Sequence, residues 1–290
     1  MAVQEPVLKQ TEAALPLEYV HTVLEPPKGW APLKLGELWK FRELLFFLTW
    51  RDIKVRYKQT ALGAAWAILQ PVLTMIVFSV IFGSLAKLPS EGVPYPIFTF
   101  TALLPWQLFA FALTQSSNSL VGDKNLISKV YFPRLVVPFS SVLAGVADFA
   151  IAFVVLVILM AFYGIRLTPA ALLLPVFVLL ALTSAMAVGL WLSALNVKYR
   201  DIRYVIPFLT QFWMYATPIA YSSSLVPEQW RWLYSLNPMT GVVEGFRRAI
   251  LGKSSLDVVS LCISAGMVIL LLVGGLYYFK RMESSFADVI

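Results

Sequence analysis

The feature that most constrains this chain is where its charges are missing. No Asp, Glu, Lys or Arg occurs in residues 59–86, 92–122, 167–197, 204–227 or 258–279. A sixth window, 135–165, is interrupted only by Asp148. A helix needs roughly 20 apolar residues to cross the hydrocarbon core of a bilayer, and every window is long enough. With no water to satisfy backbone groups there, a span is a helix or part of a closed barrel. Barrel strands alternate apolar and polar residues over about 10 positions, whereas these windows are continuously apolar. The windows therefore predict an all-α membrane protein with six transmembrane helices near 66–86, 97–117, 137–162, 171–195, 204–222 and 258–279. Composition agrees: soluble domains carry about 25% charged residues, and this chain of 290 residues carries 13%. Glu5, Lys9 and Glu12 break the N-terminus too early for a secretory signal.

Six spans put both termini on one face. The segments on that face hold fifteen Lys and Arg, even without Lys9 and Lys28. The opposite segments hold six: Lys87, Arg166, Arg231, Arg247, Arg248 and Lys253. Cytoplasmic segments carry the excess of cations, so both termini are expected in the cytoplasm. The net charge of +7 reads as the inner skirt of a membrane protein facing anionic lipid, with no nucleic-acid partner implied.

Four segments follow. Residues 1–33, with five prolines and the lone His21, predict an extended cytoplasmic tail; with no second ligand beside it, His21 does not predict a metal site. Residues 34–58 predict an amphipathic interface helix. There Leu35, Leu38, Trp39, Leu45 and Phe46 form a broad apolar face, and Glu37, Lys40 and Glu43 a narrow polar stripe. This helix ends in a basic doorstep to the first span. Residues 59–283 hold the six-helix transmembrane domain, and 284–290 a cytoplasmic C-terminus.

The doorstep concentrates charge. Arg51, Lys54 and Lys58 share one helical face, and Trp50, Ile53 and Tyr57 the next. Asp52 and Arg56 stand at i, i+4 with the acid first, the favourable order for a pair. Two readings stand: a basic anchor beneath a span, or a docking surface for a cytoplasmic partner. Two inner loops extend the second reading. In 121–135, Tyr131 and Phe132 are expected to be exposed beside Lys129, Pro133 and Arg134, a mixture typical of interface hot spots. NVKYRDIR at 196–203 is short, charged and again carries a tyrosine.

The third outer loop, 223–257, is long and not clearly polar. Pro227 and Pro238 divide it, with Trp230, Trp232 and Tyr234 between them. It predicts a re-entrant outer hairpin of two short helices that caps a passage, since irregular backbone at that depth needs protein or a wet cavity around it.

The remaining chemistry is sparse. LGKSS at 251–255 resembles the end of a phosphate loop, but Arg247 stands where the motif needs glycine; no ATP site and no cofactor is expected in this chain. Asp148, a carboxylate inside a span, is costly unless it faces protein or water, and is expected to be hydrogen-bonded and structural. Cys262 is expected to pack as a small hydrophobe. In span five, Tyr204, Phe208, Gln211, Phe212, Tyr215 and Tyr221 form an aromatic stripe with polar tips, suited to core packing or to a conduit for sugar. Trp66 and Gln70 in span one join that candidate lining. Paired carboxylates and a Ser/His/Asp set are both missing, so the chain is not expected to be an enzyme.

These parts, in this order, resemble the permease subunits of polysaccharide-exporting ABC transporters, the class that exports O-antigen, teichoic acid or capsule. The resemblance rests on WRDIKVRYKQTALGAAWAILQPVLTMIVFSVIFG at 50–83, then LISKVYFPR at 126–134, NVKYRDI at 196–202, and Asn237, Pro238, Glu244 and Arg247. It spans residues 35–283 and leaves the tail unexplained. It implies a homodimer in the bacterial inner membrane, two separate ATPase subunits that carry ATP and Mg, and a lipid-linked polysaccharide as cargo. Residues Arg51 to Lys58 and Lys129 to Arg134 would then meet the ATPase. Spans one and five would line the conduit, and Trp230, Trp232, Tyr234, Glu244 and Arg247 would belong to an outer gate. Two rival readings share much of the topology: an ABC permease for a drug or other hydrophobic small molecule, and a non-transport membrane accessory of glycan synthesis.

Overall fold

A computed structural model describes residues 35–58, 63–252, 257–283 and Phe286. The expected tail with His21, the residues 253–256 that contain Lys253, and most of 284–290 lie outside the described residues. Among those described, every regular element is helical.

The helices are α1 (Leu35–Lys40), α2 (Arg42–Lys58), α3 (Gly63–Phe78, continued by a π-helical stretch Ser79–Leu85), α4 (Tyr95–Gly122), α5 (Lys124–Lys129), α6 (Val136–Phe162), α7 (Leu174–Lys198, entered through a 3-10 turn at Pro169–Leu173), α8 (Ile202–Tyr215), α9 (Glu228–Ser235), α10 (Pro238–Leu251) and α11 (Val258–Glu283). By length and composition, five segments can cross a membrane: Ala65–Leu85, Tyr95–Gly122, Val136–Phe162, Pro169–Lys198 and Val258–Glu283. They correspond to five of the six predicted spans. The other, expected over 204–222, is helical only over Ile202–Tyr215. Its pattern of hydropathy is continuous, but its backbone is not. Pro218 cannot donate to the helical ladder and disfavours a helical Thr217. The chain leaves the helix through a bond from Thr217 N to Met214 O (3.3 Å) and turns sharply, with Ile219 N donating to Thr217 O (2.7 Å).

α4 is the central pillar. It packs against α3, α6, α7, α8 and α10, and its N-terminal part is buried on every side from Ile97 to Trp106. α7 and α11 pack together, and α2 lies along α6. Between apolar helices in lipid, close approach rather than hydrophobic transfer supplies the attraction, and small residues allow it. A Cβ on Gly189 would meet Ser116 Oγ at 2.0 Å, and one on Gly275 would meet the Ala187 carbonyl oxygen at 2.8 Å. Asn196 crosses the α4–α7 seam, donating to Ser117 O (3.0 Å) and Asn118 Oδ1 (3.1 Å). The outward faces of α6, α7 and α11 carry Val154, Ile158, Leu179, Ile269 and Leu270, all exposed. Cys262 sits on such an exposed face of α11 instead of packing inside.

The N-terminal helix is interrupted at Phe41. In α2, Leu48 is buried while Phe46, Phe47 and Trp50 are exposed, as is Trp39 in α1. Two short helices form within 223–257, as predicted. α10 starts with Asn237 as its cap, accepting from Met239 N (3.0 Å), and Pro238 in its first turn. It ends at Gly252, whose φ of +67° suits glycine. The glycine of the LGKSS stretch is thus a helix terminator. Almost all of α10 is buried, against α4, α7 and α11.

The packing predicts a contrast between two glycines of α11. Gly275→Ala drives a Cβ against a backbone oxygen and should cost about 1–3 kcal/mol, seen as a lower melting temperature of the purified protein. Gly266, with nothing within 4 Å of an added Cβ, should tolerate alanine with no loss.

Candidate functional site

The charged doorstep turns into the protein. Arg51 bridges two carboxylates, Asp52 Oδ1 and Asp123 Oδ2, each at 2.8 Å. The i, i+4 pairing expected for Asp52 and Arg56 does not form: Asp52 is taken by Arg51, and Arg56 reaches Asp148 Oδ2 at 2.7 Å. Tyr57 OH donates to the other Asp148 oxygen. The intramembrane carboxylate is hydrogen-bonded, as expected, and its partners come from the doorstep itself. The Arg56 guanidinium also lies 4.2 Å from the centroid of Phe111. Burial pushes the Asp52 carboxyl above the usual carboxylate range; Arg51 pulls the other way, and Asp123 adds to the push. Lys54 and Lys58 remain exposed.

Arg56 and Asp148 lie in the wall of a cavity of about 640 Å³ between α3, α4 and α6. Trp66 and Gln70 line it. Sequence reasoning missed its other wall, Gln107, Phe111, Thr114 and Gln115 on α4. These stand at i, i+4, i+7 and i+8, a helical face that spacing alone could have revealed. The span-five residues are not brought to this cavity. Phe208, Gln211, Phe212 and Tyr215 lie on the exposed outer face of α8, where Phe208 and Phe212 stack with centroids 6.5 Å apart. Only Met214 of α8 reaches the cavity rim.

In the inner loop, the two aromatics divide. Tyr131 is 81% exposed, whereas Phe132 is 5% exposed and belongs to the core. The expectation that both are exposed is corrected for Phe132, which joins the buried apolar core while its neighbour Tyr131 does not. Arg134 is engaged with the end of α11. Its backbone N–H meets Glu283 Oε1 at 3.3 Å, its guanidinium donates to the Glu283 carbonyl, and it lies 5.8 Å from the ring of Phe286. Lys280 pairs with the same glutamate at 2.5 Å, and Phe286 packs edge-on against Phe279. Lys129 ends α5, and Pro133 lies in the turn before α6.

The broken chain after α8 is held by side chains. Asn237 Nδ2 donates to Ala216 O and to Thr217 Oγ1, both at 3.0 Å. Asn237 Oδ1 accepts from Trp213 Nε1 at 2.8 Å while capping α10. Arg247 Nη2 donates to Pro218 O (3.0 Å) and Ile219 O (3.2 Å), and Tyr95 OH donates to Ala220 O. Tyr221 OH meets Tyr234 OH at 2.8 Å. The carbonyls that lost their helical donors are thus satisfied one after another. Arg247 is only 1% exposed and lies 3.7 Å from the centroid of Phe98. Burial lowers its pKa to about 10, opposed by Glu91 and Glu244, so it stays a cation at neutral pH. Trp230 and Trp232 of α9 are exposed.

A family model described as ABC-2 type transporter matches residues 43–251. Among curated proteins, the chain is 30% identical over 257 residues to the O-antigen export system permease protein RfbA of Myxococcus xanthus, covering 88% of this chain and 98% of that protein. It is 29% identical over 252 residues to the protein of the same name from Klebsiella pneumoniae (86% and 95%). To the polysialic acid transport protein KpsM of Escherichia coli it is 25% identical over 242 residues (81% and 92%).

Two predictions follow from the pinned break. Asn237→Ala orphans buried groups on both sides of it and should cost about 2–4 kcal/mol, read as a fall in melting temperature. The second concerns Glu244, which faces Arg247, Glu91 and Asp257. Burial raises its pKa above the ordinary glutamate range despite a hydrogen bond from Ser223 and the charge of Arg247. The folded state then holds its proton more tightly than the unfolded state, so stability falls as pH rises through the window above about 4.3. Melting temperature should therefore rise on acidification from about pH 7 to about pH 5, and Glu244→Gln should lose that part of the rise.

Proposed function

The chain belongs to the ABC-2 type transporter family, and from that premise we propose that it is the membrane subunit of an ATP-driven exporter of lipid-linked polysaccharide, of the O-antigen kind. The observation that carries this reading is similarity over 98% of an O-antigen export permease, loops and hairpin included. In this reading the chain works as a homodimer in the bacterial inner membrane, with both termini cytoplasmic. Two separate ATPase subunits bring ATP and Mg; this chain supplies no catalytic group.

The proposal assigns the sixth crossing to α8 together with the pinned segment that follows it. The helix of 14 residues rises about 21 Å, short of the roughly 30 Å hydrocarbon core; the stretch 216–222, less compact than helix, supplies the rest. α2 lies at the inner interface, with Trp39 and Trp50 among the headgroups. The exposed faces of α3 and α8 line the conduit between two copies, so that Trp66, Gln70, Phe208, Gln211, Phe212 and Tyr215 meet glycan. α9 and α10 form the outer gate, with Trp230, Trp232 and Tyr234 toward the exit and Glu244 and Arg247 behind them.

The ATPase docks on Lys54, Lys58, Lys129 and Tyr131. Arg51, Asp52, Arg56, Tyr57, Phe132, Pro133 and Arg134 carry its movement inward. Arg56 and Tyr57 hand displacement of the doorstep to Asp148 in the wall of the cavity. Phe132 anchors the inner loop so that Tyr131 can press on a partner.

Reconstitution in liposomes with the ATPase encoded beside this chain tests the reading. Stimulation of ATP hydrolysis by a lipid-linked glycan, with transfer across the bilayer, is expected. A stable complex that ignores glycan and moves a hydrophobic small molecule would overturn the substrate, and failure to form any complex would overturn the coupling roles. In the same system, Tyr131→Ala should lower transport about tenfold, as loss of an interface hot spot does, with normal abundance in the membrane. Phe132→Ala should instead lower abundance, through a core loss of about 3–5 kcal/mol.

A further inference from the structure

Behind the outer hairpin lies a second chamber, of about 270 Å³, walled by the segment after α8, by α9 and α10, and by the loop before α4. Two of its groups have unfilled hydrogen-bonding capacity. Arg247 gives one nitrogen to the Pro218 and Ile219 oxygens, but its Nε–H has no acceptor; one turn earlier on α10, the buried Oε1 of Glu244 has no donor. A donor and an acceptor left open in one chamber are complementary to a hydroxyl, which accepts with its lone pairs and donates its proton.

The rest of the wall is suited to the same ligand. Ser224 Oγ donates to Ser222 Oγ at 2.9 Å, and Ser222 in turn donates to Glu91. Glu91 reaches that position through left-handed backbone, φ +56°, which a non-glycine residue adopts at a cost. Formal charge selects against the alternatives. Three carboxylates, Glu91, Glu244 and Asp257, face two guanidinium groups, Arg231 and Arg247, which disfavours an anion such as phosphate. Among the described residues no group of three ligands suited to a metal ion occurs. The volume far exceeds the ~10–15 Å³ that one water needs. A neutral, polyhydroxylated ring meets all of these conditions.

We propose that this chamber is a saccharide subsite, in which ring hydroxyls accept from Arg247 Nε–H and donate to Glu244 Oε1. It rests on the reading that the cargo is a glycan, and it places one sugar unit against the residue that pins the broken chain. Occupancy then bears directly on the geometry of the outer hairpin.

The test uses the full chain in lipid nanodiscs and five probes, the methyl glycosides of glucose, galactose, mannose, rhamnose and N-acetylglucosamine. Each is offered at about 10 mM, suited to a millimolar affinity, and read by saturation-transfer NMR. At least one should give a signal that falls at least fivefold in Glu244→Leu and survives in Glu244→Gln, which keeps an acceptor oxygen. Ser224 lies at the exposed edge of the wall, so Ser224→Phe blocks the chamber without burying a new group and should also abolish the signal, even where Glu244→Leu does not fold. No signal from any of the five glycosides, or a signal unchanged in folded Ser224→Phe, would overturn the proposal and leave a hydrated structural cavity. Glycan transport with no glycoside signal overturns the subsite alone; glycoside binding without transport supports the subsite and counts against the exporter reading.

Discussion

Much of this fold depends on one buried cation. Arg247 stands where apolar packing would be expected, and the reason is the backbone opposite. A helix stopped by proline inside a membrane protein leaves carbonyl oxygens with no water to turn to. A guanidinium has five donors in a rigid fork and stays charged when buried, so one side chain can satisfy two such oxygens and still lie flat on Phe98. Asn237 does similar work a turn away, joining Trp213, Ala216 and Thr217 to the start of α10. The α10 helix with its cap and the broken helix are therefore one unit. Neither can shift without exposing groups that the other satisfies.

The inner end follows the same logic with opposite polarity. There the costly buried group is a carboxylate, Asp148, and its partners arrive from the basic stretch that precedes the first span. A charge that seemed to serve lipid headgroups also serves the interior. The pair is not a large source of stability, since the side chains of Arg56 and Asp148 keep 40% and 19% of their exposure, and partly solvated pairs contribute little. Its value is directional. It ties the doorstep to the wall of a cavity, and a tie of modest strength can be remade as the helix moves.

Sequence reasoning reached the helical class and five of the spans, because long apolar runs admit few folds. Over 204–222 the helix is shorter than expected and ends at Tyr215, because hydropathy does not record whether an apolar stretch keeps its ladder; the warning was Pro218, which reads equally well as a kink. Phe132 was misjudged for another reason. An aromatic in a charged loop looks exposed when only its neighbours in sequence are considered, and its burial is decided by residues far along the chain. The partners of Asp148 were illegible for the same cause, since Tyr57 lies 91 positions away. The α4 wall of the cavity was legible: Gln107, Phe111, Thr114 and Gln115 keep helical register, but no charge drew attention to them. The two open hydrogen-bonding groups of the outer chamber could not be read at all, because an unfilled valence is a property of the packed state.

The grip of Glu283 and Phe286 on Arg134 has a consequence for how the protein is made. These residues are 149 positions apart for the glutamate contact, and a ribosome produces them in order. When Arg134 emerges, the group that will hold it has not yet been translated, and α6, α7, α8 and α11 must be made first. The turn before α6 therefore acquires these contacts only after α11 has been made. A chain halted before residue 283 would leave Arg134 without the contacts that hold it, however many of its helices had already been inserted.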